Sequence, residues 1–161
     1  MAATEVYYTI TTSRLDAQMR QIDQLDTKVA TTFTMASVIL AFFAGLLTLA
    51  AFPANHDIRV VDFIIMGLAI MVYLFLAFSL YKAYQVTDWS FQPNITDLEN
   101  YYTEYSEEGM KQWVADACIA SIRVNNPRIL QKTARLNAAL LAFACESGLI
   151  ALAGAISLLG K

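Results

Sequence analysis

A single carboxylate stands near the middle of a long, almost wholly apolar stretch of this chain. Residues 138–159 read AALLAFACESGLIALAGAISLL, and Glu146 is the only ionisable group among them apart from the Cys145 thiol. The stretch has the roughly 20 residues a helix needs to cross a bilayer core of about 30 Å. A charge at that depth costs on the order of 2.5–3.5 kcal/mol on insertion scales, so its presence calls for a reason. One reading is a pore-lining or proton-sensing carboxylate facing the bundle or oligomer axis. The other is a protonated acid hydrogen-bonded to a neighbouring helix. Counting along the helix from Lys132 at about 1.5 Å per residue puts Glu146 roughly 21 Å further on, still within hydrocarbon. Counting inward from Val60 brings residues 70–73 near the same level, and Tyr73 has the only hydroxyl there. Tyr73 is therefore the expected polar partner of Glu146.

Other residues with chemical potential read as ordinary. The chain has no Gly-rich phosphate loop, no G-x-S-x-G and no H-E-x-x-H. Glu107 and Glu108 suit the first turn of a helix. His56, the only histidine, falls in a short polar connection, PANHDIR, with nothing nearby to complete a site. Cys118 and Cys145 lack C-x-x-C spacing, which argues against zinc or a disulfide framework. Cys145 is expected to be a small buried thiol. No enzyme activity, cofactor or metal is expected. The net charge of −3 and the lack of a basic stripe with interleaved aromatics point away from nucleic acid.

The elements that must position Glu146 follow from where the charges are. The chain is 57% hydrophobic over 161 residues, and all but three of its charged residues, Asp62, Lys82 and Glu146, lie outside three windows, about 29–52, 60–84 and 138–159. Each is long enough to span. Ahead of the first, Leu15, Met19, Ile22, Leu25 and Val29 recur at steps of four and three, one stripe of an amphipathic helix over 12–28. Residues 1–10 show no period and are expected to be loosely held. No secretory leader is expected, because the first apolar run begins about 30 residues in. Tyr81, Tyr84 and Trp89 form an aromatic belt at the end of the second window. Residues 90–136 form a polar helical segment. Within it Asn94 or Thr96 starts a short helix over 95–105, and Ser106 caps the next. That helix shows an apolar face of Met110, Trp113, Val114, Ala117, Ile119 or Ala120, and Val124, and stops near Asn125-Asn126-Pro127. A last helix begins at Asn126-Pro127. Small residues beside Glu146, Gly148 and Gly154 above all, invite close helix packing, and Gly67 offers the same in the second span.

Lys and Arg set a direction. Three precede the first span (Arg14, Arg20, Lys28) and Arg59 alone follows it. Six lie between the second and third (Lys82, Lys111, Arg123, Arg128, Lys132, Arg135), and Lys161 comes last. Nine of the eleven thus share one side, three plus six, which the positive-inside rule makes cytoplasmic. The N-terminus is then inside and the C-terminus outside.

Two strings resemble a known group. QLDTKVATTFTMASVILAFFAGLL is similar to the L-D-x-K-A lead-in to the first membrane helix of small bacterial anti-phage membrane effectors, the Pycsar-type transmembrane effectors and related SLATT domains. IRVNNPRILQKTARLNAALLAF resembles their cytoplasmic helix leading back into the membrane. The resemblance implies a defence protein of the inner membrane. It would damage or depolarise the bilayer after a nucleotide second messenger or a sensor protein signals infection. The expectation is one all-α integral membrane domain over 1–161, with three transmembrane helices and a cytoplasmic helical extension. It assembles as a homo-oligomer in the lipid bilayer and acts without enzymatic chemistry. A small channel or transporter subunit, or a membrane anchor for an enzyme complex, are the competing readings.

Overall fold

A computed structural model describes residues 3–51, 60–101 and 106–159, by backbone alone at 46–51, 60–63, 95, 101 and 156–159. The described residues form α1 (Ala3–Ala51), α2 (Val60–Tyr84), α3 (Ile95–Tyr101) and α4 (Glu107–Leu159). There is no strand among them. Three helices, α1, α2 and α4, are long and apolar enough to cross a membrane. His56 and the Pro53 end of the first window lie outside the described residues.

The chain divides into two compact units. Unit one comprises Met1–Leu25 and Val86–Lys132; unit two comprises Asp26–Gln85 and Thr133–Lys161.

α1 is one helix with one buried seam. Thr11, Leu15, Gln18, Ile22, Leu25, Val29, Thr32, Ala36, Ile39 and Phe43 are buried or half-buried, at alternating steps of four and three. This is the heptad repeat of a coiled-coil seam. It follows most of the stripe read from the sequence but turns Gln18, not Met19, fully inward. The helix also starts earlier than expected. Residues 3–10 are helical because side chains of α4 hold them, not because of their own pattern. The Tyr7 hydroxyl donates to Asp116 at 2.8 Å, and Lys111 lies 2.6 Å from Glu5. The hydroxyls of Thr9, Thr11 and Thr12 donate back to carbonyls four residues earlier, which satisfies them inside the helix.

α4 differs from its sequence reading in a second way. It runs unbroken through Pro127, where the sequence reading ends one helix and starts another. Proline removes the bond to the Arg123 carbonyl and costs about 3 kcal/mol in a helix interior. Contacts on either side outweigh that cost. Its buried seam is Ala115, Cys118, Ser121, Asn125, Ile129, Lys132, Leu136, Ala139, Ala142, Glu146 and Ala153. The face expected from the large apolar residues is therefore rotated: Val124 is exposed, and small and polar side chains point inward. Ser106 does cap the helix, its Oγ accepting from the Gly109 N–H at 3.2 Å. Asn94 does the same for α3, accepting from the Thr96 N–H at 3.4 Å. The described part of α3 ends at Tyr101; 102–105 lie outside the described residues.

In unit one the pairs Glu5–Lys111, Tyr7–Asp116 and Gln18–Asn126 climb both helices together, so α1 and α4 run parallel. In unit two Ser37 meets Tyr73 while Phe43 shares a cluster with Ile65 and Ala153. As α1 advances from 37 to 43, α2 retreats from 73 to 65, so these two run antiparallel. Close approach in this unit falls to alanines: Ala36, Ala69 and Ala139 are fully enclosed. Gly67, Gly148 and Gly154 take no part, since a Cβ added at any of them would meet nothing within 4 Å.

Candidate functional site

Unit two turns its large apolar side chains outward. Only 22–28% of the most apolar window of each long helix is buried, and Phe42, Met71 and Leu141 are each about two-thirds exposed. In water such a surface would be an aggregation hazard; in lipid tails it is solvated. Cys145 lies on this outer surface, contrary to the expectation of burial. The seam takes Ala142 and Glu146 inward, which leaves position 145 facing out.

Against that apolar exterior, the interior holds Glu146, 0% exposed. Neither of its carboxylate oxygens has a hydrogen-bond partner among the described residues. One heptad below Ala153 on α4 is Glu146; one heptad below Phe43 on α1 is Ala36; seven residues on from Ile65 along α2 is Val72. Each step covers about 10.5 Å, so Glu146 shares a layer with Ala36 and Val72. Ser37 and Tyr73 are the next residues along. Their hydroxyls meet at 3.0 Å, and Ser37 also donates to the Phe33 carbonyl. The expected Tyr73–Glu146 bond is thus absent. Serine at 37 offers an acceptor in that groove, and the phenol takes it. An unpartnered buried polar group costs about 1–3 kcal/mol, more for a charged one. Glu146 is therefore a cost to the fold of unit two.

Unit one carries a second polar cluster that sequence reasoning missed. Asn125 grips the backbone of Ser90 twice: its Oδ1 accepts from the Ser90 N–H at 2.8 Å, and its Nδ2 donates to the Ser90 carbonyl at 2.9 Å. The Ser121 Oγ accepts from the Gln92 N–H at 3.0 Å, and the Cys118 Sγ lies 3.9 Å from the Gln92 carbonyl. Burial pushes the Cys118 thiol pKa up. The signal in the sequence is the spacing Cys118, Ser121, Asn125, three and four apart on one helix face. From α1, Gln18 Nε2 donates to Asn126 Oδ1 at 2.9 Å and to the Ile122 carbonyl at 3.3 Å. Its own carbonyl accepts from Asn125 at 3.3 Å.

Lys132 ends this seam at 1% exposure, with its Nζ 5.4 Å from the centre of the Trp89 ring. A shallow depression of about 340 Å³ in unit one is lined by Thr12, Leu15, Met19, Phe91, Pro93, Val114 and Cys118, with Asp16 and Gln92.

No protein-family model, curated protein or solved structure matches this chain.

Proposed function

We propose that this chain is a non-enzymatic membrane effector that assembles in the bacterial inner membrane and perturbs or depolarises it in anti-phage defence. The observation that carries the proposal is Glu146: a carboxyl fully enclosed in an apolar unit, with no hydrogen-bond partner among the described residues. A fold that bears such a cost without a structural return retains the group for use. The outward apolar surface of α1, α2 and α4 supports residence in a bilayer. The two strings that resemble Pycsar-type effectors support the setting, and with it a nucleotide second messenger or a sensor protein as trigger. Three spans enclose too little protein to shield a conducting path alone, which favours a homo-oligomer. The N-terminus and unit one face the cytoplasm in this reading, and the C-terminus lies outside.

The test is inducible expression in bacteria, following growth and a potential-sensitive dye, with and without cyclic nucleotides. Arrested growth with loss of potential is expected, and Glu146→Gln should abolish both. A reporter after Lys161 should be found outside and one near Glu107 inside. Normal growth and potential under every condition would contradict the effector reading and favour a constitutive channel subunit or a membrane anchor.

A further inference from the structure

We infer that α4 contains a built-in hinge at Pro127 that Gln18 and the Ser90 backbone hold closed through Asn125 and Asn126. The inference concerns unit one alone and stands apart from what the spans do.

The backbone supplies the weak point. Pro127 has no N–H to offer the Arg123 carbonyl, and its ring crowds that carbonyl, so the ladder of α4 is interrupted there. The two residues just before it, Asn125 and Asn126, are poor helix formers, since their side chains compete for backbone groups. A sequence of this kind breaks helices, and it ends one in the reading made from sequence alone. Here it is helical, and both asparagine side chains are engaged by other parts of the chain.

The clamp has two jaws. From α1, Gln18 reaches Asn126 and the Ile122 carbonyl and receives Asn125. From the segment after α2, Ser90 presents both its N–H and its carbonyl to Asn125. All these bonds are between neutral amides, each exchangeable for water at small net cost. Beyond this layer the seam is apolar, with Ile22 and Leu25 on α1 and Ile129 on α4, while before it the buried positions include Thr11 and Ser121. The polar layer is therefore where unit one opens most cheaply. Opening would free the Ser90 backbone, leave residues 90–92 held only through Ser121 and Cys118, and leave residues 123–127 of α4 without lateral support.

The test is hydrogen exchange on the full chain in lipid nanodiscs. Gln18→Leu keeps the volume of the seam and removes the α1 jaw. It should raise exchange about tenfold or more at amides 119–126 and 90–92, with amides 110–115 unchanged. Adding Pro127→Ala restores the backbone donor. The double variant should return 119–126 to within about twofold of the parent while 90–92 stay raised. Unchanged exchange at 119–126 in Gln18→Leu would overturn the inference. So would a uniform rise across 110–135, or failure of Pro127→Ala to restore protection.

Discussion

The Tyr73 hydroxyl lies 3.0 Å from the Ser37 hydroxyl, which joins α2 to α1 inside unit two. This bond takes up the one phenol at the level of Glu146 and leaves the carboxyl without it. It is also measurable. Tyr73→Phe and Ser37→Ala should each lower the unfolding free energy of the protein in mild detergent. Their double-mutant cycle should show a coupling of about 0.5–1 kcal/mol, the range of interhelical hydrogen bonds in membranes. The cycle of Tyr73→Phe with Glu146→Gln should show none. A clear coupling to Glu146 instead would mean that the phenol serves the carboxyl after all.

Glu146→Leu removes a buried polar group with no hydrogen-bond partner among the described residues. Unfolding in detergent should show the variant as stable as the parent or more so, by about 1–3 kcal/mol. Glu146→Gln, which leaves an amide in the same place, should stay near the parent. A Leu variant less stable by a comparable amount would show that the carboxyl holds unit two together.

The first turns of α1 should depend on pH in unit one. The Lys111 amine is held well above its ordinary value by its bonds to Glu107 and Glu5. The hydrogen bond to Asp116 raises the Tyr7 phenol above 10.0. Both groups give support that is complete below their unfolded pKa values, and it is lost as pH rises through the raised ones. Glu107 is the opposite case: the bond from Lys111 lowers it below 4.5. Its contribution is complete above that value and is lost as pH falls through the depressed one. Protection of amides 5–12 from hydrogen exchange should therefore hold up to about pH 10 and fall above it, while the acid loss through Glu107 falls on the first turn of α4. These pairs are solvent-facing, so the change should be local fraying, with the melting temperature little moved. Lys111→Met should flatten the alkaline limb for α1 and the acid limb for the first turn of α4. An unchanged profile in that variant would remove the pinning role.

Much of this fold is legible in the sequence, and the failures share a cause. The limits of α2 coincide with its apolar window, and the caps at Asn94 and Ser106 are local chemistry that needs no tertiary partner. Residues 3–10, the helix across Pro127 and the inward Gln18, Lys132 and Asn125 depend on contacts about a hundred or some thirty-five to forty-five residues away. Periodicity of large apolar residues cannot register a seam built from Cys118, Ser121 and Asn125. The burial of Glu146 agrees with its position in an apolar run, but its hydrogen bonding was not legible, because Ser37 competes for Tyr73 from another helix.

Gly148 and Gly154 separate folding from assembly. Each faces open space in the single chain, where a side chain meets nothing. Gly148→Leu and Gly154→Leu should therefore leave helicity and unfolding of the monomer unchanged, apart from a helix-propensity gain of under about 1 kcal/mol each. If the chain self-associates through the side of α4 that either glycine occupies, the variant on that side should reduce the oligomer fraction in cross-linking or native mass measurements by about tenfold or more. An oligomer of undiminished strength in both variants would place its contact surface elsewhere.

The claim that the chain acts on the bilayer is tested most directly with purified protein in liposomes. The vesicles contain zwitterionic and anionic lipid, and a potassium gradient with valinomycin sets a potential that a dye reports. Parent protein should dissipate the potential in proportion to the amount reconstituted. Glu146→Gln and Glu146→Leu, inserted to the same level, should leave it standing. A potential that survives the parent protein at all loadings and with every candidate nucleotide would contradict the account, as would equal dissipation by all three proteins.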